Sequence, residues 1–353
     1  MASSSSSSSM VRIDGSEGEG GGQILRTAVS LSVITGTPVE VVNIRAKRPN
    51  PGLRPQHLTA IKVIADLFHA NIENLKVGSD WIRFFPSDRF EGGSLKVDVG
   101  TAGSIPMILM AVVPAVSLSN NNLEIEITGG TDVKASPTID YVRYVVGDAY
   151  RSIGIKFSCD VIRRGYYPKG GGIVKTVIEP CKEPGTLDLL VLREVAPRIT
   201  SVCCQLPRHV AERQVSSALL SLEKKGIRCS NYSASIETSV SPGSSILVYS
   251  ASDFGPHIGG DSIGELGKRA ETVGSEAADR FLESALAQVP VDPFLADMLV
   301  LPLALAKGRS KYRIARVTEH LRTNLRVASQ MVAGDCRYEI KRQQDNTYVV
   351  TIN

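Results

Sequence analysis

No apolar run in this chain is long enough to cross a bilayer. The most hydrophobic stretch, residues 105–118, is too short and carries Pro106 and Pro114, so it predicts a buried core helix. Signs of disulfide or zinc chemistry are missing too. The six cysteines (Cys159, Cys181, Cys203, Cys204, Cys229 and Cys336) form no C-x-x-C pair and no Cys/His cluster at zinc spacing, which points to reduced, buried thiols. Charge of one sign is scarce. With 40 Lys+Arg against 36 Asp+Glu, a net +4, a polyanionic partner would need a local basic patch. Neither a G-x-x-x-x-G-K-[ST] loop nor the dinucleotide fingerprint occurs. The N-terminus, Met1-Ala2 and seven serines, has neither the apolar core nor the charged region of a signal peptide; residues 1–9 read as a disordered extension or tag, with Met10 the native start. These absences together predict a soluble, cytoplasmic chain with no structural metal.

What is present is a repeated order of elements, in a chain of 353 residues with room for about two domains. The first copy runs from a strand at Val11 through the glycine-rich turn Gly18, Gly20, Gly21 and Gly22 into an apolar helix over 24–34. A strand over 39–44 follows, then the loop Arg48-Pro49-Asn50-Pro51-Gly52, a helix with Leu58, Ile61, Ala65 and Phe68 on one face, and two short strands. The order recurs from Val97, including a helix over 139–153, and again from Phe294 to the end. In this register His320 of the third copy matches Gln56-His57 of the first and Pro137-Thr138 of the second, so three equivalent corners could converge on one cleft. Residues 187–283 do not fit the pattern. They read as an inserted domain with a helix over 207–225 and a long helix over 261–287, which leaves residues 10–186 and 284–353 as one discontinuous larger domain.

His320 opens a helix whose core face is Leu321, Leu325, Ala328 and Val332. There it either caps the helix or, beside unpaired amides and Arg322, reacts where phosphates are held. The glycine turn has two readings as well: a phosphate cradle, or tight packing. Arg26, Arg45, Arg48 and Arg54 surround that turn and suit bidentate phosphate binding, while Glu19 would either ligate Mg²⁺ or pair with one of these arginines. Of the remaining histidines, His69, His209 and His257 read as surface or cap residues. His57, with Gln56 beside it, reads as a substrate contact.

Several segments closely resemble the RNA 3′-terminal phosphate cyclase family: residues 14–26 (DGSEGEGGGQILR), 45–58 (RAKRPNPGLRPQHL), 100–104 (GTAGS), 129–131 (GGT), 167–172 (YPKGGG), 206–213 (LPRHVAER), Leu295-Ala296-Asp297 and His320. The likeness covers the chain from Met10 to the end. It implies an α/β (α+β) fold of three βαβαββ-type repeats with a smaller α/β insert. It also implies an ATP-dependent enzyme, using Mg²⁺ or Mn²⁺, that joins a histidine nitrogen to AMP, passes AMP to an RNA 3′-phosphate and closes a 2′,3′-cyclic phosphate. By this resemblance His320 is the nucleophile. Glu19, Met110, Pro137, Phe294, Leu295, Ala296, Asp297 and Met298 are the nucleotide-binding set, and Arg26, Arg45, Arg48, Gln56 and His57 hold RNA or phosphate. Met110 and Met298 stand where Gln is usual, Phe294 where Tyr is common, and Lys134-Ala135-Ser136-Pro137 replaces a more usual Ala-Pro-Pro-like segment, which leaves nucleotide preference open. The alternative is a non-catalytic, cyclase-like scaffold in RNA processing or ribosome biogenesis. Such relatives lack the nucleophilic histidine that is present here. A homodimer is one oligomeric option.

Overall fold

The structure is a computed structural model that describes residues 9–18, 20–87, 89–252, 255–332 and 336–353. The serine-rich extension up to residue 8, Glu19 and the side chain of Gln56 lie outside the described residues.

Alternating patterns and glycine turns build the first unit from β1 (Val11–Asp14), α1 (Gln23–Thr35), β2 (Val39–Val42), α2 (Pro55–Leu67), β3 (Asn71–Glu73) and β4 (Ile82–Phe85). The sheet order is β1-β2-β4-β3, with β1 parallel to β2 and the other pairs antiparallel. A parallel pair needs a crossover, and α1 supplies it. The second unit repeats this with β5 (Gly93–Asp98), α3 (Ile105–Ser117), β6 (Leu123–Gly129), α4 (Ile139–Tyr141), α5 (Gly147–Ser152), β7 (Asp160–Arg163) and β8 (Gly172–Ile178), in the order β5-β6-β8-β7. A π-helical turn, Val142–Val146, joins α4 to α5, so the helix predicted over 139–153 is one helix with a widened middle.

The third unit opens with a strand that the periodicity missed, because it is only two residues long. β9 (Asp188–Leu189) lies parallel to β14 (Ser310–Ile314), far along the chain. The insert holds β10 (Arg198–Cys204), α6 (His209–Glu223), β11 (Asn231–Ile236), β12 (Gly243–Ala251), β13 (His257–Ile263) and α7 (Ala270–Leu286), with sheet order β11-β10-β12-β13. The long helix expected over 261–287 is corrected here. Its first part is strand β13 and turn, because Gly260 lets the strand pass directly beneath α7: a methyl group there would stand 2.2 Å from the Ala277 carbonyl oxygen. The third unit then resumes with α8 (Pro293–Leu303), β14 (Ser310–Ile314), α9 (Glu319–Met331), β15 (Tyr338–Arg342) and β16 (Tyr348–Ile352), and its sheet order, β15-β16-β14-β9, is that of the other two units.

One apolar core joins the three units, with Leu25, Leu109, Val112, Leu299 and Leu325 buried between α1, α3, α8 and α9. α3 is buried along nearly its whole length, as its composition predicts. The insert has a second core built on Ile199, Val215, Ile246 and Phe281. No helix among the described residues is long and apolar enough to cross a membrane.

Buried polar links fasten the insert to the second unit. Arg164, 3% exposed, lies 2.9 Å from Asp140, 3.4 Å from Asp132 and 2.8 Å from Glu237 of the insert. Burial opposes its charge, but the carboxylates of Asp140 and Asp132 more than offset that and hold the guanidinium protonated. His257, read from the sequence as surface or cap, is instead fully buried in β13 with Nδ1 3.2 Å from Asp148. The strand pairing with β12 carries it inside, which no local signal in the Gly/Pro surroundings indicates.

Candidate active site

α1, α8 and α9 meet through a chain of side-chain hydrogen bonds. The Thr27 hydroxyl donates to Asn324 Oδ1 at 2.9 Å, and Asn324 Nδ2 donates to the Asp297 carbonyl at 2.8 Å. Thr318 caps α9 by accepting from the Leu321 amide at 2.8 Å, and its hydroxyl donates to Asp297 Oδ1 at 2.5 Å. This fixes His320 in the first turn of α9. Its Nδ1 lies 3.7 Å from Asp297 Oδ2, and the imidazole is 45% exposed beside a carboxylate that is 8% exposed.

The other ring nitrogen faces the glycine turn. A methyl group on Gly21 would be 3.9 Å from His320 Nε2 and 3.9 Å from Arg48 Nη2, so the turn, a cation and the nitrogen border one space. Gly22 has a different reason to lack a side chain. The His57 ring lies against it, and a methyl group there would be 2.1 Å from His57 Nε2. Packing alone therefore requires Gly22, while Gly21 opens the backbone toward His320.

His57 is 3% exposed and accepts from the Arg54 amide through Nδ1 at 3.3 Å, closing a capping box on α2. Burial, then the cations Arg26, Arg45 and Arg54, push its pKa down to about 3, so the ring is neutral. It lies against the glycine turn and caps α2, and is not among the residues that line the cavity described next. A pH dependence follows. Between pH 6.5 and about 3 the unfolded imidazole takes a proton that the folded one refuses, so stability is complete above pH 6.5 and falls as pH drops. His57→Gln should flatten this acid limb in urea midpoints measured from pH 7 to 4; a difference from wild type that does not vary with pH contradicts the buried neutral ring.

A cavity of about 360 Å³ adjoins His320 and is lined by Gln23, Arg26, Thr27, Met107, Met110, Ala135, Ser136, Pro137, Tyr141, Asp261, Arg280, Phe294, Asp297, Met298, Leu301 and Asn324. That size suits one nucleotide-sized ligand. Burial lowers the Arg26 pKa to about 10, still well above neutrality, so a fixed cation stands in the wall. Arg45 is not among the lining residues; it has a left-handed φ of 56°, and its Nη2 donates to the Asn50 carbonyl at 3.2 Å. Its pKa is lowered by burial and then by Arg48 and Arg54, a crowding of like charge that an anion would relieve.

Seven of the residues singled out from the sequence thus share the cavity: Arg26, Met110, Pro137, Phe294, Asp297, Met298 and His320. Leu295 and Ala296 do not. Both are fully buried, because α8 turns Phe294, Asp297, Met298 and Leu301 to the cavity and the intervening positions to the core. Arg48 borders the space at Gly21. Glu19 and the Gln56 side chain lie outside the described residues.

Much of the lining comes from residues outside the motifs. Met107 sits one turn before Met110 and was recoverable from that spacing. Asp261 and Arg280 come from the insert, with no local motif to mark them. Asp261 Oδ2 accepts from the Thr138 amide at 2.6 Å, Arg280 Nη1 reaches the Asp261 carbonyl oxygen at 2.5 Å, and burial raises the Asp261 pKa. Tyr141 donates to Asp292, which also caps α8 through the Phe294 and Leu295 amides and accepts from Gly259 of the insert, each at 2.8–2.9 Å. Burial lifts this carboxyl to about 6 despite those donors. The insert therefore forms one wall of the cavity.

Residues 17–338 match the family described as RNA 3′-terminal phosphate cyclase. Relatives bearing that name include a protein of Pyrobaculum aerophilum, 44% identical over 91% of this chain and 92% of its own length. A Pyrococcus furiosus protein is 44% identical over 91% and 93%, and one from Methanopyrus kandleri is 42% identical over 92% and 94%. With a match of this extent, and with relatives this similar over nearly their full lengths, the chain belongs to the RNA 3′-terminal phosphate cyclase family.

Proposed function

We propose that this chain is an ATP-dependent RNA 3′-terminal phosphate cyclase acting in the cytoplasm through a histidyl-AMP intermediate. The observation that carries the reading is the placement of His320, with Nδ1 toward Asp297 and Nε2 toward Gly21 and Arg48 at the edge of a nucleotide-sized cavity. The Nε2 lone pair attacks the α-phosphorus of ATP, the bond to the bridging oxygen breaks, and diphosphate leaves. Asp297 orients the ring and stabilises the positive charge that it gains. An oxygen of the RNA 3′-phosphate then displaces the histidine, which transfers AMP to the RNA. Finally the 2′-hydroxyl oxygen attacks the terminal phosphorus, AMP departs with the bond electrons, and the hydroxyl proton passes to solvent. Arg26 and Arg48 face the phosphate charge in each step, and Arg45, close to Arg48, adds to the positive field.

Adenine fits the apolar part of the cavity, where Met110, Met298, Phe294 and Pro137 offer dispersion contacts. Mg²⁺ or Mn²⁺ on the ATP phosphates would add charge neutralisation. Glu19 is its candidate protein carboxylate, and among the described residues no group of three or more His, Cys, Asp or Glu is placed to hold an ion. The test is an RNA oligonucleotide with a labelled 3′-phosphate, incubated with the protein, ATP and Mg²⁺. The label is expected to become phosphatase-resistant, whereas a DNA 3′-phosphate can accept AMP but has no 2′-hydroxyl with which to close. RNA whose label stays phosphatase-sensitive overturns the assignment.

A further inference from the structure

The turn between β14 and α9 carries Arg316, two residues before the Thr318 cap that positions His320. Its guanidinium lies 5.5 Å from the centroid of the Phe294 ring, and Nε is 2.5 Å from Glu283 Oε1 on α7 of the insert. Phe294 is 39% exposed and lines the cavity. Its backbone is fixed by the Asp292 cap, but nothing in that cap sets the torsions of the ring. An ion pair as exposed as Arg316 with Glu283 contributes little by itself. Its position decides its use: one planar cation touches a cavity-wall ring, an insert helix and the turn leading to His320.

We propose that Arg316 is a positioning residue, holding the Phe294 ring in place as a nucleobase-facing wall of the cavity and tying that wall to the insert through Glu283. The proposal rests on the nucleotide reading above. A stacked guanidinium suits the task because it is flat and permanently charged, so lysine should replace it only in part.

Steady-state cyclisation by Arg316→Ala, Arg316→Lys, Glu283→Gln, Phe294→Ala and the Arg316→Ala/Phe294→Ala double variant tests it. Arg316→Ala should raise the KM for ATP roughly three- to five-fold, as expected for a cation over an aromatic face, with kcat held within about twofold. Arg316→Lys should recover part of the loss, and Glu283→Gln should give a smaller rise. With Phe294 already alanine, removing Arg316 should change KM by less than about 1.5-fold, since the two act as one unit. A fall in kcat at unchanged KM, or an undiminished effect in the Phe294→Ala background, overturns the proposal. Hydrogen exchange without nucleotide gives a separate arm: Arg316→Ala should exchange faster across residues 293–298 and 316–321. Unchanged exchange refutes the brace, whereas a wild-type chain that takes no label from ATP refutes the nucleotide reading instead.

Discussion

His320→Ala should lower RNA cyclisation, and the label that the protein takes from α-labelled ATP, by on the order of 10³-fold or more. The size of the loss follows from the absence of a substitute. His57 is buried with Nδ1 engaged by the Arg54 amide, His257 is fully buried beside Asp148, and neither His69 nor His209 lines the cavity. A phosphorus–nitrogen bond to imidazole is acid-labile and alkali-stable, so the wild-type label should show that behaviour. Asp297→Asn should cost less, because the nitrogen remains while the stabilisation of its developing charge weakens. A label retained by His320→Ala would place the nucleophile elsewhere, and label lost equally from a variant outside the cavity would point to general unfolding.

Arg164→Met should destabilise the fold by about 3–5 kcal/mol, since it strands Asp132 and Asp140 in the interior without a counter-charge. Urea titration measures it. Adding Asp140→Asn should recover part of the loss by removing one stranded charge. A cost below about 1 kcal/mol would mean that water reaches the network, contrary to its 3% exposure. Because Glu237 belongs to the insert, the same variant should loosen the attachment of that domain and speed hydrogen exchange along β11 and β12.

The elements that announced themselves in the sequence are those whose pattern is local. α3 is apolar throughout and had to be buried, and Thr318 caps a helix with a clear core face at Leu321, Leu325 and Ala328. Repetition of order foretold three like units, and their sheets share one strand order. What stayed hidden depends on distant partners. β9 is a strand only because β14 pairs with it, and His257 is interior only because β12 and Asp148 enclose it. A helix shows only one face to a cavity, so of positions 294–298 Leu295 and Ala296 are buried in the core. The insert residues Asp261 and Arg280 reach the site through tertiary packing that no spacing rule records.

The two-residue strand β9 has a bearing on how the molecule is made. Leu187 donates to Ser310 Oγ, a residue 123 positions further along, so the third sheet cannot begin to close until the insert has been synthesised and set aside. Because α1 packs against α9 and α3 against α8, the core shared by the three units closes, and His320 reaches its place, only with the final stretch. The cavity wall that α8 and α9 supply is thus assembled last, from the part of the chain furthest from the glycine turn it faces.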